Sequence, residues 1–456
     1  MTRTLTQIRR TERGPRPIPP MGTFTPATLP PWIEADLPKG LRVVLVQCDT
    51  VPTVHARVMV PFAGANPRHA ARAAVLAQTL FAGTSVSTRN RIDTKIALLG
   101  GTLRATVSPE RLGIVAMSSA KGLSTLLDVV VDSLTDASYP DDEVDREREL
   151  LVQQVSQAQA NPDVAARAAL QRHLYGDHPV ARELPDPTMV ATIDPAEIRG
   201  LHHTAVSPRG AALLLVGDFD LDTTLAQVQR ATAAWTSCDT AHQLPSVPAV
   251  TAAALQVVNL PGAAQSHLRL AAPAVSYTDP RAAALSLAVT ALGGIFSSRL
   301  VAVIREQQGY CYRVRTTREV TVHSAGVTTR LNLSMDTATD NTAAALVALR
   351  NELARFVAKP PGQGELDRAR SYLLGSQLTA GRSQQHLADQ LNELISIGLS
   401  PSWITQEHEL LHTVTVDEIA AVAGEFLNPK RFTGVLLGDA DTLAEPLSGV
   451  GSVRMP

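Results

Sequence analysis

The chain repeats itself, and the repeat constrains its architecture more than any other feature. Glu197, Ile198, Pro208, Gly217, Asp218 and Asp220 each recur 221 positions later, as Glu418, Ile419, Pro429, Gly438, Asp439 and Asp441. A second block recurs at a spacing of 211, pairing Leu76 with Leu287, Ala77 with Ala288, Thr79 with Thr290 and Gly83 with Gly294. Two blocks in the same order, offset by a short insertion, describe a duplicated domain. The shared block reads as a short helix, a Pro turn, an apolar strand (AALLLVGDFD or FTGVLLGDAD) and a helix start. The acidic residue after the strand is placed to cap that helix. At 456 residues the chain has room for two such units, each with its own core.

The first copy alternates strands and helices. LRVVLVQ and VHARVMVPF have the pattern of paired strands, followed by helices over 68–82 and 91–100. TLRATVS and RLGIVAMSS form a further strand pair. Helices over 120–137 and 141–174 follow, the second opened at Pro140-Asp141. Hairpins mixed with long helices predict α+β layers with mainly antiparallel sheets, not a doubly wound sheet. The boundaries are a Pro-rich arm over 1–38, a first domain over 39–236, a Ser/Thr/Pro/Ala linker over 237–256 and a second domain over 257–456.

A net charge of −2 gives no electrostatic case for nucleic acid or an anionic membrane surface. No apolar run is long enough to span a bilayer, and the basic start MTRTLTQIRR lacks the apolar stretch of a secretory signal. Cys48, Cys238 and Cys311 are far apart with no C-x-x-C spacing, which predicts a reducing, cytoplasmic setting and no thiolate metal site.

Residues 74–84, AVLAQTLFAGT, resemble the zinc-binding helix of the pitrilysin and mitochondrial-processing-peptidase family, the inverzincins. There an inverted H-x-x-E-H motif runs into a leucine, a phenylalanine and a Gly-Thr, its histidines binding zinc and its glutamate acting as general base. Here the His, Glu and His positions are Ala74, Ala77 and Gln78. The family's further glutamate ligand lies on a later long helix, matched by DREREL LVQQVSQAQANPD and the GDHPVAR turn. From Leu150 to Arg182 this chain has no glutamate, and Gln153, Gln154, Gln157 and Gln159 occupy the segment. Methyl groups do not bind zinc, and a neutral amide is a poor substitute for imidazole or carboxylate.

The second copy keeps what the first has lost. GGIFSSRLVAVIREQQGYCYRV (293–314) is similar to the family signature in which a Ser-Arg-Leu helix leads to R-E-x-x-G-x-x-Y. The resemblance makes Arg305 and Tyr312 the pair that holds substrate, since a guanidinium and a phenol can hydrogen-bond a peptide carbonyl and its developing oxyanion. On the residues alone, Arg305 pairing with a carboxylate and Tyr312 packing in a sheet are equally open. LGGTLRATVSPE (99–110) and GELDRARSYLLGSQL (364–378) extend the match to residues 40–445. The resemblance implies half of a clamshell, inactive alone and without a cofactor of its own. Zinc would be carried by a homologous partner chain with H-x-x-E-H, and the substrates would be peptides or leader segments. A non-enzymatic scaffold of the same fold is the first alternative.

The second alternative is a stand-alone zincin. His408, Glu409 and His412 spell HELLH, which fits H-E-x-x-H. A zincin needs a third ligand; no histidine follows His412, and only Glu418, Glu425 and Glu445 remain downstream. The segment is a short helix ended by V-T-V, which the resemblance places in a peripheral helix pair. It reads as an exposed face with an incidental match. His202 and His203 end an amphipathic helix, where cations are favoured, and His178 belongs to a turn.

Overall fold

In the computed structural model, which describes residues 28–236 and 241–456, each copy of the repeat builds one six-stranded sheet. The first copy contributes β1 (Trp32–Leu37), β2 (Leu41–Gln47), β3 (Thr53–Pro61), α1 (His69–Thr79), α2 (Arg89–Leu98), β4 (Thr102–Val107), β5 (Arg111–Ser119), α3 (Leu123–Asp136), α4 (Asp141–Gln159), α5 (Pro162–Tyr175), α6 (Pro195–Ala205), β6 (Ala212–Gly217) and α7 (Leu221–Thr232). The second contributes β7 (Leu255–Asn259), β8 (Gln265–Pro273), α8 (Ala282–Val289), β9 (Cys311–His323), β10 (Gly326–Ala338), α9 (Thr342–Ala358), α10 (Gln363–Ala380), α11 (Gln384–Ser396), α12 (Trp403–Thr413), α13 (Val416–Phe426), β11 (Thr433–Gly438), α14 (Ala440–Ser448) and β12 (Val453–Arg454).

The sheets run β1-β2-β6-β3-β5-β4 and β12-β7-β11-β8-β10-β9, so five strands of each follow one topology. Pairings are antiparallel except β2–β6, β7–β11 and β7–β12. This is the α+β, two-domain fold expected. The edge position next to β2 is filled by an N-terminal strand, β1, and the corresponding position next to β7 by a C-terminal one, β12.

Strands β6 and β11 are buried at every residue, which requires cover on both faces of the sheet. One face of each sheet packs on helices of its own half. The other face is covered by a helix from the opposite half. α11 lays Leu387, Leu391, Leu394 and Ile395 on Val44, Val46, Leu214 and Val216 of the first sheet. α5 lays Leu170 on Ala271 and Val435 of the second. Each fully buried leucine contributes roughly 1.5–3 kcal/mol, so this exchange of helices ties the halves together.

Several expectations are corrected. The stretch read as a single helix over 141–174 is two helices. The Asn161 side chain accepts a hydrogen bond from the Asp163 N–H (2.9 Å) and Pro162 opens α5; a proline inside a continuous helix would remove a bond and clash with the preceding turn. The break frees α5 to cross to the second sheet. The arm read over 1–38 is shorter than expected, because Trp32–Leu37 pair with β2 in register from Trp32–Val46 to Leu37–Leu41; residues 1–27 lie outside the described residues. Of the linker read over 237–256, residues 237–240 lie outside the described residues. Leu244 and Val247 are buried against Ala63, Tyr175 and Val180, and Leu255 already opens β7.

The acidic caps follow the repeat only in part. Asp220 caps α7 through the Thr223 N–H (2.9 Å), but α14 is capped by Asp439, two residues before the repeat equivalent of Asp220. His202 is not a surface cation. It is buried, its Nδ1 lies 2.7 Å from the Tyr139 hydroxyl and its Nε2 3.2 Å from the Leu134 carbonyl, and burial lowers its pKa to about 4. His178 caps a short turn by accepting the Val180 N–H (3.2 Å). Among the described residues no helix is long and apolar enough to cross a membrane.

Candidate functional site

The alanine-rich helix α1 packs against α4, α6 and β4. Ala74 and Ala77 are 9% and 6% exposed, while Gln78 points to solvent. The void beside Ala74 measures about 30 Å³, the share of a single water. Its walls include Pro109, Pro179, Arg182 and Glu183. The two charges are already engaged: Arg182 donates to the Ala65 and Asp177 carbonyls (2.7 Å each), and Glu183 pairs with Arg167 (3.2 Å). On α4, Gln153, Gln154, Gln157 and Gln159 are exposed, and Gln159 donates to the Pro185 carbonyl (3.4 Å). Buried methyls and an exposed amide form no donor set for zinc. Among the described residues no three His, Cys, Asp or Glu side chains converge into a group able to hold a metal ion.

Arg305 and Tyr312 are brought together by two backbone irregularities. Arg305 lies on a π-helix, Val301–Gln307, marked by the Gln308 N–H donating to the Val303 carbonyl (3.1 Å). Tyr312 is the extra residue of a β-bulge: Asp336 of β10 pairs with Arg313 and Thr337 with Cys311, leaving Tyr312 between them. Each device adds one residue and re-aims a side chain, and both are frequent at functional sites. The result is a stack, with the guanidinium 4.9 Å from the centre of the Tyr312 ring and 5.0 Å from that of Phe296.

Phe296 and Tyr312 are 79% and 83% exposed, so this stack stands in solvent and does not pack in the sheet. Glu306 is 3.2 Å from the guanidinium. The adjoining cavity measures about 840 Å³. Its floor needs Gly293, where a Cβ would lie 2.9 Å from Thr316 Oγ1. The neighbouring Cys311 thiol is buried, which pushes its pKa up to about 11 and leaves it a weak nucleophile. Phe296 was missed by sequence reasoning. An exposed aromatic beside a Gly-Gly pair was the available signal, but it has no periodicity to mark it.

The HELLH segment lies on α12, which packs against α8 and α10. His408 is 1% exposed and burial lowers its pKa, whereas Glu409 and His412 face solvent. Two of the downstream carboxylates have other roles: Glu418 closes a capping box with Thr415, and Glu425 binds Arg281 (2.8 Å). The expectation of an exposed, peripheral segment holds only in part. His408 is internal, and its neighbour Glu407 lines a cavity of about 640 Å³ along β9.

Residues 63–188 match the family model described as insulinase (peptidase family M16), and residues 192–373 match the one described as peptidase M16 inactive domain. An uncharacterized zinc protease of Mycobacterium leprae is 25% identical over 417 residues, covering 88% of this chain and 90% of that protein. One from Streptomyces coelicolor is 27% identical over 294 residues, 61% of this chain and 62% of that protein. Among solved structures, a peptidase M16 inactive domain from Pseudomonas fluorescens superposes with a TM-score of 0.80 at 21% identity, covering 90% of this chain and 98% of that one. The periplasmic protease PqqL from Escherichia coli superposes with a TM-score of 0.75 at 16% identity, covering 91% of this chain but 46% of that one.

Proposed function

The chain belongs to the M16 family of peptidases, and on that premise we propose that it is the non-catalytic, substrate-binding subunit of a two-chain zinc peptidase. The observation that carries the reading is the contrast between its halves. Ala74 and Ala77 bury methyl groups where the family's metal chemistry would sit, while Arg305 and Tyr312 remain stacked and presented to solvent. A pure scaffold gives no physical reason to hold two large aromatic rings in water around a guanidinium.

The missing chemistry belongs to a homologous partner chain carrying H-x-x-E-H, with zinc as that partner's cofactor and none held here. The superposition of this fold on about half of PqqL supports one half of a two-half assembly. The substrates are peptides or leader segments, short or unfolded enough to enter a closed chamber, and the setting is cytoplasmic. Within the chamber the Arg305 guanidinium and the Tyr312 hydroxyl donate hydrogen bonds to a substrate carbonyl and to the negative charge that develops on it.

The test is reconstitution. This chain is co-expressed with an H-x-x-E-H homologue from the same organism, and co-purification, zinc content and peptide cleavage are measured. The expected result is one zinc per pair and cleavage that depends on both chains. A homologue equally active without this chain would remove the reading.

A further inference from the structure

The cavity beside Arg305 and the one that Glu407 lines share Gly294, Arg315 and Tyr372, so a single groove follows β9 from Tyr312 to Val320. β9 is the outermost strand of its sheet and pairs only with β10 among the described strands. One edge of its backbone is therefore open to a further strand, the arrangement that lets an extended peptide add by main-chain hydrogen bonds.

Charge along the groove is one-sided. At the Tyr312 end, Arg305, Arg313, Arg315 and Arg368 line it against a single carboxylate, Asp367, which already binds Arg370 (2.9 Å). Among the described residues neither Arg315 nor Arg368 makes an ion pair, and Arg313 has only a distant one with Asp163 (3.9 Å). The other half of the groove carries Glu319, Glu393 and Glu407 together with Arg111 and Arg318, so it is nearly balanced and the excess of positive charge sits at the Tyr312 end. Of these, Glu319 is held by Arg330 and Asn332 (2.6 Å each). An arginine cluster with unspent hydrogen-bond donors recognises carboxylates in planar, bidentate geometry.

We propose that this groove binds an extended peptide with acidic side chains, its backbone added to the open edge of β9 and its carboxylates against Arg315 and Arg368. The proposal rests on the substrate-binding reading of the same site and supplies the class of substrate.

The experiment uses the full chain alone and three fluorescein-labelled peptides of equal length and apolar content, with Glu, Gln or Lys at alternate positions. Binding is followed by fluorescence anisotropy at low and physiological salt. The Glu peptide is expected to bind about tenfold more tightly than the Gln peptide, with the Lys peptide weakest and the differences shrinking as salt rises. Arg315→Ala with Arg368→Ala removes the preference, and Arg315→Glu with Arg368→Glu reverses it. Both side chains are exposed, and thermal unfolding checks that each variant folds. N-methylation of alternate amides in the Glu peptide abolishes binding.

Equal binding of the three peptides, a preference that survives charge reversal, or indifference to N-methylation would each overturn the proposal. Binding is read without a partner. A Glu preference in a chain that adds nothing to the partner's cleavage would therefore sink the subunit reading and keep the groove. Cleavage dependent on this chain without a Glu preference would do the opposite.

Discussion

Arg57 and Arg269 occupy the same place in the two halves of the chain, on β3 and β8. In each, Nη1 donates back to the carbonyl of the preceding residue, Ala56 (2.9 Å) or Leu268 (2.8 Å). Each then reaches a carboxylate on the helix lent by the opposite half. Arg57 binds Asp389 of α11 (2.8 Å), and Arg269 binds Asp163 of α5. Both arginine side chains are buried, so the exchange of helices is pinned twice by one device.

The two pins are unequal. Arg269 also binds Asp336 (2.8 Å), whereas Asp389 is the only carboxylate paired with Arg57 among the described residues. Asp389→Ala strands a buried guanidinium and is expected to cost about 2 kcal/mol, discounted because the carboxylate is half exposed. Asp163→Ala should cost about 1 kcal/mol, because Asp336 remains. Urea unfolding at neutral pH measures both, and an equal or reversed order would contradict this account.

Restoring histidines does not restore zinc. Ala74→His must fit an imidazole into a void of about 30 Å³, and overpacking of this kind costs about 1–3 kcal/mol. Even with Gln78→His added, no glutamate stands between Leu150 and Arg182 to complete the site. Elemental analysis of Ala74→His/Gln78→His should find no stoichiometric zinc, and thermal unfolding a lower Tm.

His202 makes stability depend on pH. Burial depresses its pKa from 6.5 to about 4, so the folded chain keeps it neutral while the unfolded chain takes up a proton. Stability is full above pH 6.5 and falls as pH drops toward about 4, by a total on the order of 3 kcal/mol. His202→Gln can still accept from Tyr139 and donate to Leu134 without titrating. Its stability should depend less steeply on pH between these limits, leaving a residual slope from His69, whose pKa burial also lowers. An unchanged slope would show that His202 protonates freely in the fold.

Phe296 is expected to hold Arg305 for substrate. In a reconstituted pair, Arg305→Ala should lower kcat/KM about a hundredfold, as loss of an oxyanion donor does. Arg305→Lys should recover little, since an ammonium lacks the planar fork. Phe296→Ala should cost about tenfold through loss of the stack. Full activity in Arg305→Lys would mean that charge alone suffices.

Much of this was legible in the sequence because it depends on local pattern. The duplication and the strands LRVVLVQ and TLRATVS follow from spacing and residue type, and the positions at 74, 77 and 78 were marked by the resemblance to the family's zinc helix. The exchange of helices was not legible. An apolar stripe shows that α5 or α11 is covered but not by which sheet. A partial hint lay in β6 and β11, whose unbroken apolar runs ask for cover on both faces. Asn161-Pro162 is a plain stop signal that the reading of one helix over 141–174 overlooked. The stack around Arg305 could not be foreseen, because it depends on a π-helix and a bulge, and these become visible only once hydrogen-bond register is known.

The exchange also determines what can be made from this gene in pieces. Cut near residue 240, the first half would expose the face carrying Val44, Val46, Leu214 and Val216, and the second would carry α11 with nothing to cover. Apolar faces of that kind drive aggregation. Two domains by sequence are thus one folding unit. The fragments should become soluble only when both are produced together in the same cell, each acting as the other's chaperone.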